Sequence, residues 1–219
     1  MLKKYQSSVR PIKIDIKDKS LHGLLDLPEQ ARGLVVFAHG SGSSRLSPRN
    51  QYVASYLTES KFGTLLFDLL TPQEEEIDTF SGEFRFNIEM LADRLMQVTA
   101  WILKQPKLAP YKLGYFGSST GAAAALIAAT RYPKEICAIV SRGGRPDMAG
   151  SYLKDVKSPT LLIVGSLDGP VIDLNKDAKA QMQNVNKLEI VPGATHLFEE
   201  PGKLEEVAKI ATKWFTQYL

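Results

Sequence analysis

The chain has 219 residues, of which 44% are hydrophobic and 23% are charged, and these values are ordinary for a globular protein. Its formal net charge of +3 is too small to indicate a nucleic-acid partner. No apolar stretch approaches the roughly 20 residues of a membrane span, and no apolar secretory segment is visible at the N-terminus. A single cysteine, Cys137, is typical of a reducing compartment. We therefore expect a cytoplasmic protein with one domain over residues 1–219 and a buried, inert thiol.

The chain opens with two segments that predict an antiparallel hairpin. Ile12, Ile14 and Ile16 alternate with polar residues, and a second apolar segment runs from Leu21 to Leu27. Apolar strand-like stretches then alternate with helical patterns. Six further strands are predicted at residues 34–38, 64–68, 112–116, 136–141, 160–164 and 188–191, and the helices at 49–60, 86–104, 122–129, 173–183 and 203–218.

This alternation predicts an α/β fold with an eight-stranded, mostly parallel sheet and helices on both faces. In such sheets the functional loops follow the carboxyl ends of the strands. The acidic stretch from Glu74 to Asp78 is predicted to be a solvated loop without a metal site. Only a short segment separates Ser141 from Pro159, enough for a loop and a short helix near residues 149–156.

Residues 117–121 read Gly-Ser-Ser-Thr-Gly, a G-x-S-x-G motif between a predicted strand and a predicted helix. This context is typical of a nucleophile elbow, a strained turn that raises the central serine above the sheet. Small residues are needed two positions before and after the serine, and Gly117 and Gly121 meet that need. The motif therefore predicts Ser119 as a nucleophile.

A serine nucleophile needs a base, and the chain has three histidines. His22 lies in the N-terminal hairpin, and His39 ends a strand where its ring is expected to tie down a loop. His196 follows the last predicted strand, at the edge of the sheet where Ser119 lies. We predict that His196 is the base.

The base needs a carboxylate that fixes its tautomer. Asp168 follows the strand that precedes the strand of His196, and it is the favoured candidate. Asp147 is the main alternative because it also follows a strand end. Asp68 and Asp173 are weaker candidates, the latter because it is predicted to cap the N-terminus of a helix.

Backbone amides are expected to stabilise the oxyanion that forms on the substrate. One is the amide of Thr120 at the start of the elbow helix, and the second is assigned to Ser41 in a loop rich in glycine and serine. Arg45, Arg142 and Arg145 also follow strand ends on this side. They are candidates for binding a carboxylate or phosphate of the substrate, although pairing with Asp68, Asp147 or Glu74–Glu76 is the favoured explanation.

These residues carry a resemblance to the α/β-hydrolase superfamily, within it to the dienelactone-hydrolase-like group without a cap domain. The segments concerned are residues 39–44, 117–121, 141–147, 165–168 and 194–196. The resemblance implies an eight-stranded sheet and a triad in the chain order serine, aspartate, histidine. Dienelactone hydrolases themselves carry cysteine at the elbow, whereas this chain has Ser119, so the family name indicates a relationship and not a substrate.

The sequence thus favours a serine hydrolase that cleaves small carboxylic esters or thioesters, without a cofactor. The alternatives left open are an amidase or peptidase with the same residues and a non-catalytic binding protein of the same fold. The partner is expected to be a small-molecule ester, and neither a nucleic acid nor a membrane.

Overall fold

The computed structural model describes residues 9–219. Its strands are β1 Arg10–Ile16, β2 Lys19–Asp26, β3 Leu34–Ala38, β4 Gly63–Phe67, β5 Leu113–Ser118, β6 Ile136–Arg142, β7 Thr160–Gly165 and β8 Asn186–Val191. They form one sheet in the order β1-β2-β4-β3-β5-β6-β7-β8. The β1–β2 and β2–β4 pairs are antiparallel and all other pairs are parallel, which confirms the predicted eight-stranded, mostly parallel sheet.

Within residues 9–219, five α-helices connect these strands and a sixth follows β8. They are α1 Pro48–Glu59, α2 Pro72–Ser81, α3 Ile88–Lys104, α4 Thr120–Arg131, α5 Gly169–Gln181 and α6 Lys203–Tyr218. A kinked 3-10 segment, Pro146–Asp155, is the only helical element between β6 and β7, where we predicted a short helix. No domain is inserted at that point, so no cap domain is present at the carboxyl edge of the sheet in the part of the chain that the structure describes. Within residues 9–219, none of the helices has the length and hydropathy needed to cross a bilayer.

Helices cover both faces of the sheet because side chains along each strand alternate between the faces. In β3, Leu34 and Val36 pack in a cluster that includes α3 and α4. Val35 and Phe37 pack in a second cluster on the opposite face, with α1 and α6. The two clusters hold the central strands rigidly, so that the loops at the carboxyl edge start from fixed positions.

The acidic stretch 74–78 is helical and partly buried, so the prediction of a solvated loop is wrong. It lies in α2, whose start is a capping box in which Thr71 and Glu74 each accept a hydrogen bond from the other's backbone amide. The carboxylate of Glu74 also accepts two hydrogen bonds of 2.9 Å from Arg94. Asp78 is buried and binds Arg85. Basic partners that are distant in sequence therefore compensate the burial of these carboxylates.

Two smaller predictions also need correction. Helix α5 begins at Gly169, so Asp173 lies within the helix, exposed and paired with Lys176, and does not cap it. The thiol of Cys137 lies in β6 as predicted, but it is half-buried and not fully buried.

Candidate active site

Ser119 forms a sharp turn between β5 and α4. Its backbone has φ of 50° and ψ of −122°, a conformation that is strained for a residue with a side chain. The turn is held by the end of β6, since the Ser119 amide donates to the carbonyl of Arg142 at 3.3 Å and the Ser119 carbonyl accepts from the amide of Arg145 at 3.0 Å. These two bonds compensate the strain and fix the serine in place.

The two glycines of the motif are required by close backbone contacts. A Cβ atom on Gly121 would lie 2.2 Å from the carbonyl oxygen of Ala38, and one on Gly117 would lie 2.4 Å from the Cα atom of Ala122. Both distances are far below contact distance, so no larger residue fits. The sequence-based requirement for glycine at both positions is confirmed.

His196 and Asp168 are in direct contact. Nδ1 of His196 lies 2.6 Å from Oδ2 of Asp168, and the carboxylate is the more buried partner. Their loops are bonded to each other, since the amide of Leu167 donates to the carbonyl of Ala194 at 2.9 Å. Gly165 allows this approach, because a Cβ atom there would lie 2.2 Å from the same carbonyl oxygen. The predicted histidine–aspartate pair is thus brought together by two neighbouring strand ends.

The alternative carboxylates are engaged elsewhere. Asp147 accepts hydrogen bonds of 2.7 and 2.9 Å from the guanidinium of Arg145. Asp68 binds the side chain of Arg45 and accepts from its backbone amide at 2.7 Å. Asp168 is therefore the candidate carboxylate that contacts His196.

Ser119 and His196 line the same cavity, which has a volume of about 210 Å³. Among residues 9–219, the imidazole of His196 makes a hydrogen bond to Asp168 through Nδ1 and none to the hydroxyl of Ser119. Bonds between a nucleophile and its base are often long before substrate binds and tighten in the complex. The geometry leaves Nε2 as the ring nitrogen for the serine.

The two candidate oxyanion donors lie side by side. Thr120 is the first residue of α4, where the helix leaves backbone N–H groups without intrahelical partners. The amide of Ser41 donates to the hydroxyl of Thr120 at 3.0 Å, which brings the loop after β3 against the start of this helix. A substrate oxygen that binds the Ser41 amide must replace this hydrogen bond.

His39 has a structural role, as predicted. Its Nδ1 donates to the carbonyl of Gly40 at 2.9 Å, and its Nε2 accepts from the amide of Leu69 at 2.9 Å. Burial lowers the pKa of His39, which keeps the ring neutral and suited to this donor–acceptor role. His22 is exposed in β2, and it does not line the cavity that Ser119 lines.

The three predicted arginines differ in their contacts. Arg45 and Arg145 are each paired with an aspartate, Asp68 and Asp147 respectively. Arg142 is only 6% exposed and lines the same cavity as Ser119, and its Nε and Nη1 have no hydrogen-bond partner among residues 9–219. Burial, together with the nearby Arg49, lowers the pKa of Arg142 to about 10.

Two further residues lie beside the site that the sequence did not predict. Arg49, in the first turn of α1, lines the cavity, although sequence periodicity identifies it only as an exposed helical residue. Gly143 has a φ of +49°, and a Cβ atom there would lie 3.0 Å from the carbonyl oxygen of His196. The two consecutive glycines after β6 were the available signal, because glycine is favoured where backbone must approach another chain segment closely.

Comparisons with known proteins show which family and fold the chain shares. A crystal structure of dienelactone hydrolase from Anabaena variabilis is 51% identical, with a TM-score of 0.95, and the match covers 97% of this chain and 99% of that one. Est1E from Butyrivibrio proteoclasticus is 16% identical with a TM-score of 0.78, covering 94% of this chain and 98% of its own. This second likeness concerns the fold alone.

Two proteins from Mycobacterium tuberculosis strains, each named "Putative phosphoribosyl transferase", are 56% identical over 197 residues. The match covers 90% of this chain but only 44% of theirs, so the chain spans less than half the length of these relatives. The sequence profile of the dienelactone hydrolase family matches residues 22–219. The chain therefore belongs to the dienelactone hydrolase family and has the α/β-hydrolase fold.

Proposed function

We propose that this hydrolase cleaves small carboxylic esters or thioesters through an acyl-enzyme on Ser119. The observation that carries the proposal is the contact of 2.6 Å between His196 and Asp168, at a cavity that the strained Ser119 also lines. A serine in an elbow, a histidine with a free ring nitrogen and a carboxylate behind it have the arrangement of a nucleophile, a base and an orienting group.

In the proposed reaction, Asp168 holds the imidazole of His196 with its Nδ1 proton directed at the carboxylate. Nε2 accepts the hydroxyl proton of Ser119 as Oγ attacks the ester carbonyl. The negative charge that develops on the carbonyl oxygen is stabilised by the amides of Thr120 and Ser41. The imidazolium then protonates the leaving alcohol or thiol, and a water molecule deprotonated by His196 releases the acid from Ser119.

The absence of a cap over the carboxyl edge supports small, varied substrates. Only the kinked segment Pro146–Asp155 lies between β6 and β7, and the side chain of His196 is 38% exposed. Substrate therefore reaches Ser119 from solvent without a lid movement.

Other activities are weaker proposals. An amidase or peptidase would use the same three residues, but no observation favours an amide over an ester. A non-catalytic protein would have no use for the strained serine or for the partly buried Asp168 behind His196. The phosphoribosyl transferase name belongs to proteins more than twice as long as the matched segment, so it assigns no activity to this part.

Steady-state hydrolysis of 4-nitrophenyl acetate and of a matched thioester and anilide tests the proposal. We expect Ser119→Ala and Asp168→Asn to lower kcat/KM by about 10³-fold or more, because each removes a member of a unit that acts together. Ester and thioester cleavage should both exceed anilide cleavage.

Two matched variants serve as controls. Ser151→Ala removes an exposed serine, and Asp147→Asn alters the alternative carboxylate, which binds Arg145. Both should keep the rate within a few-fold of the wild-type rate. If Asp147→Asn is as damaging as Asp168→Asn, or if Ser119→Ala retains activity, the assignment of the triad is wrong.

A further inference from the structure

The cavity beside Ser119 is rich in hydrogen-bond donors, and no carboxylate lines it among the residues that the structure describes. Its side chains include two guanidinium groups and several hydroxyl groups. The guanidinium groups belong to Arg49 and Arg142, and the hydroxyl groups include those of Ser47 and Ser119. A cavity with cationic and neutral donors but without an acid is complementary to an anion.

Arg142 is the residue that points most strongly to an anionic ligand. It is 6% exposed, and within residues 9–219 neither its Nε nor its Nη1 has a hydrogen-bond partner. A buried charge without a partner is destabilising, and proteins normally pair such groups. By contrast, Arg45 and Arg145 at the same edge of the sheet both have aspartate partners. Of these three arginines, Arg142 is the one that lines the cavity and the one without an aspartate partner among the described residues.

Arg49 adds a second cation to the same cavity. Its Nη1 donates to Glu199 at 2.7 Å, but its Nε is buried without a partner. Glu199 is largely exposed, so its carboxylate neutralises Arg49 from the solvent side. The proximity of Arg49 contributes to the lowered pKa of Arg142, which means that two cations repel each other where an anion would stabilise both.

The start of α1 supplies further donors. The hydroxyl oxygen of Ser47 accepts from the amide of Asn50 at 3.3 Å, which leaves the hydroxyl hydrogen to donate. The first turn of this 12-residue helix contains no acidic residue that would occupy its N-terminal end. Pro48 has no N–H, and the amides of Asn50 and Gln51 are bonded to Ser47, so this N-terminus offers an anion the helix dipole and the Ser47 hydroxyl.

We propose that this cavity binds a phosphate group of the substrate, so that the esters cleaved at Ser119 carry a phosphate. A carboxylate is planar and is satisfied by one guanidinium in a bidentate contact. This cavity has guanidinium groups from two elements, Arg49 of α1 and Arg142 of β6, together with the hydroxyl of Ser47 at the start of α1. Donors that converge from several directions suit the three terminal oxygens of a phosphate. The inference rests on the proposed function: water adds across the acyl ester bond to give an acid and an alcohol, and the phosphate stays attached throughout.

Binding of inorganic phosphate to the full chain, followed by calorimetry, tests the site without any substrate. We expect Arg142→Gln and Arg49→Gln each to raise the Kd for phosphate at least 10-fold, since each removes a charged donor. Arg49→Gln keeps the test decisive if the buried Arg142→Gln variant fails to fold. Arg145→Gln is the matched control, because that guanidinium pairs with Asp147, and it should bind phosphate like the wild type.

Kinetics provide the second measurement. Phosphate should inhibit hydrolysis of a neutral ester competitively, and an ester that carries a phosphate on its alcohol should show a kcat/KM at least 10-fold above that of its neutral counterpart. In Arg49→Gln this ratio should fall towards one.

The proposal is overturned if the wild type binds no phosphate, or if acetate binds as tightly as phosphate does. Reaction of Ser119 with a fluorophosphonate separates the two proposals, because that reagent reports the nucleophile alone. Labelling without phosphate binding removes the phosphate site and leaves the hydrolase. Phosphate binding without labelling supports the site and contradicts the hydrolase.

Discussion

Ser119 holds a backbone conformation that its side chain makes unfavourable, and its neighbours maintain it. The β6 end binds both its amide and its carbonyl, while glycines remove the Cβ atoms that would otherwise collide. Strain of this kind persists only where the surroundings impose it, and it is concentrated at functional sites. The conformation of the proposed nucleophile thus depends on Gly117, Gly121 and Arg142 as well as on Ser119 itself.

Gly143 offers a test of how closely the β6 loop controls His196. The variant Gly143→Ala places a Cβ atom 3.0 Å from the carbonyl of His196, so the loop that carries the base must shift. We expect kcat for ester hydrolysis to fall by about 10- to 100-fold, since small displacements of a catalytic group are costly.

The matched control for this variant is Gly150→Ala. Gly150 also has a positive φ, +53°, but a Cβ atom there would meet no atom within 4 Å. Both variants should lose roughly 1 to 2 kcal/mol of stability from backbone strain, and only Gly143→Ala should lose activity. Equal kinetics for the two variants would contradict a positioning role for Gly143.

At this scale the sequence predicts candidates for the nucleophile, the base and the carboxylate, because each lies in a motif or directly follows a strand, and the structure brings the predicted histidine and aspartate into contact. The sequence does not predict which arginine remains unpaired. Arg45, Arg142 and Arg145 look alike in the sequence, and only the three-dimensional structure shows that two of them have aspartate partners. Arg49 is missed because its helical position alone does not reveal that it turns towards the cavity.

At the scale of elements, α2 shows how charge composition alone can mislead. The acidic stretch was interpreted as a solvated loop, although Thr71-Pro72-Gln73-Glu74 contains the capping-box pattern that begins the helix. The partners that make its burial favourable, Arg94 of α3 and Lys19 of β2, are distant in sequence. Local sequence could have revealed the helix start but not the ion pairs.

The Glu74–Arg94 pair should contribute to stability. Burial alone would raise the pKa of Glu74, but hydrogen bonds from Arg94 and Lys19 outweigh burial and lower it from 4.5 to about 2. Because the folded-state pKa is below the unfolded value, this contribution is present above about pH 4.5 and is lost as the pH falls towards 2. Urea unfolding between pH 7 and pH 3 measures it.

Arg94→Met removes the main counter-charge of a buried carboxylate and should lower the free energy of unfolding at pH 7 by about 2 to 3 kcal/mol. The loss should shrink at pH 3, because Glu74 is then protonated in the unfolded chain and ionisation of the pair contributes less to the stability of the wild type. Lys176→Met, which removes one partner of an exposed ion pair, is the control and should cost less than about 0.5 kcal/mol. Equal losses for both variants would show that the buried pair does not stabilise the fold.

At the scale of the whole molecule, the sheet brings together groups that are far apart in the chain. Ser119, Asp168 and His196 follow β5, β7 and β8, and Ser41 follows β3, so parallel strands place all four at one edge. Strand–helix alternation is enough to predict this architecture, because apolar strands covered on both faces are distinctive in sequence. The precise start of α5 and the contents of the cavity depend on packing, and the sequence did not predict them.

The most direct test of the account is covalent labelling of the folded chain with a fluorophosphonate, followed by mass spectrometry of its peptides. The account predicts one label per chain, on Ser119, that Ser119→Ala abolishes and His196→Ala slows by about 10²-fold or more, because the serine then lacks its base. Absence of labelling in the folded protein, or a label on another residue that Ser119→Ala leaves unchanged, would contradict the claim that Ser119 is the nucleophile.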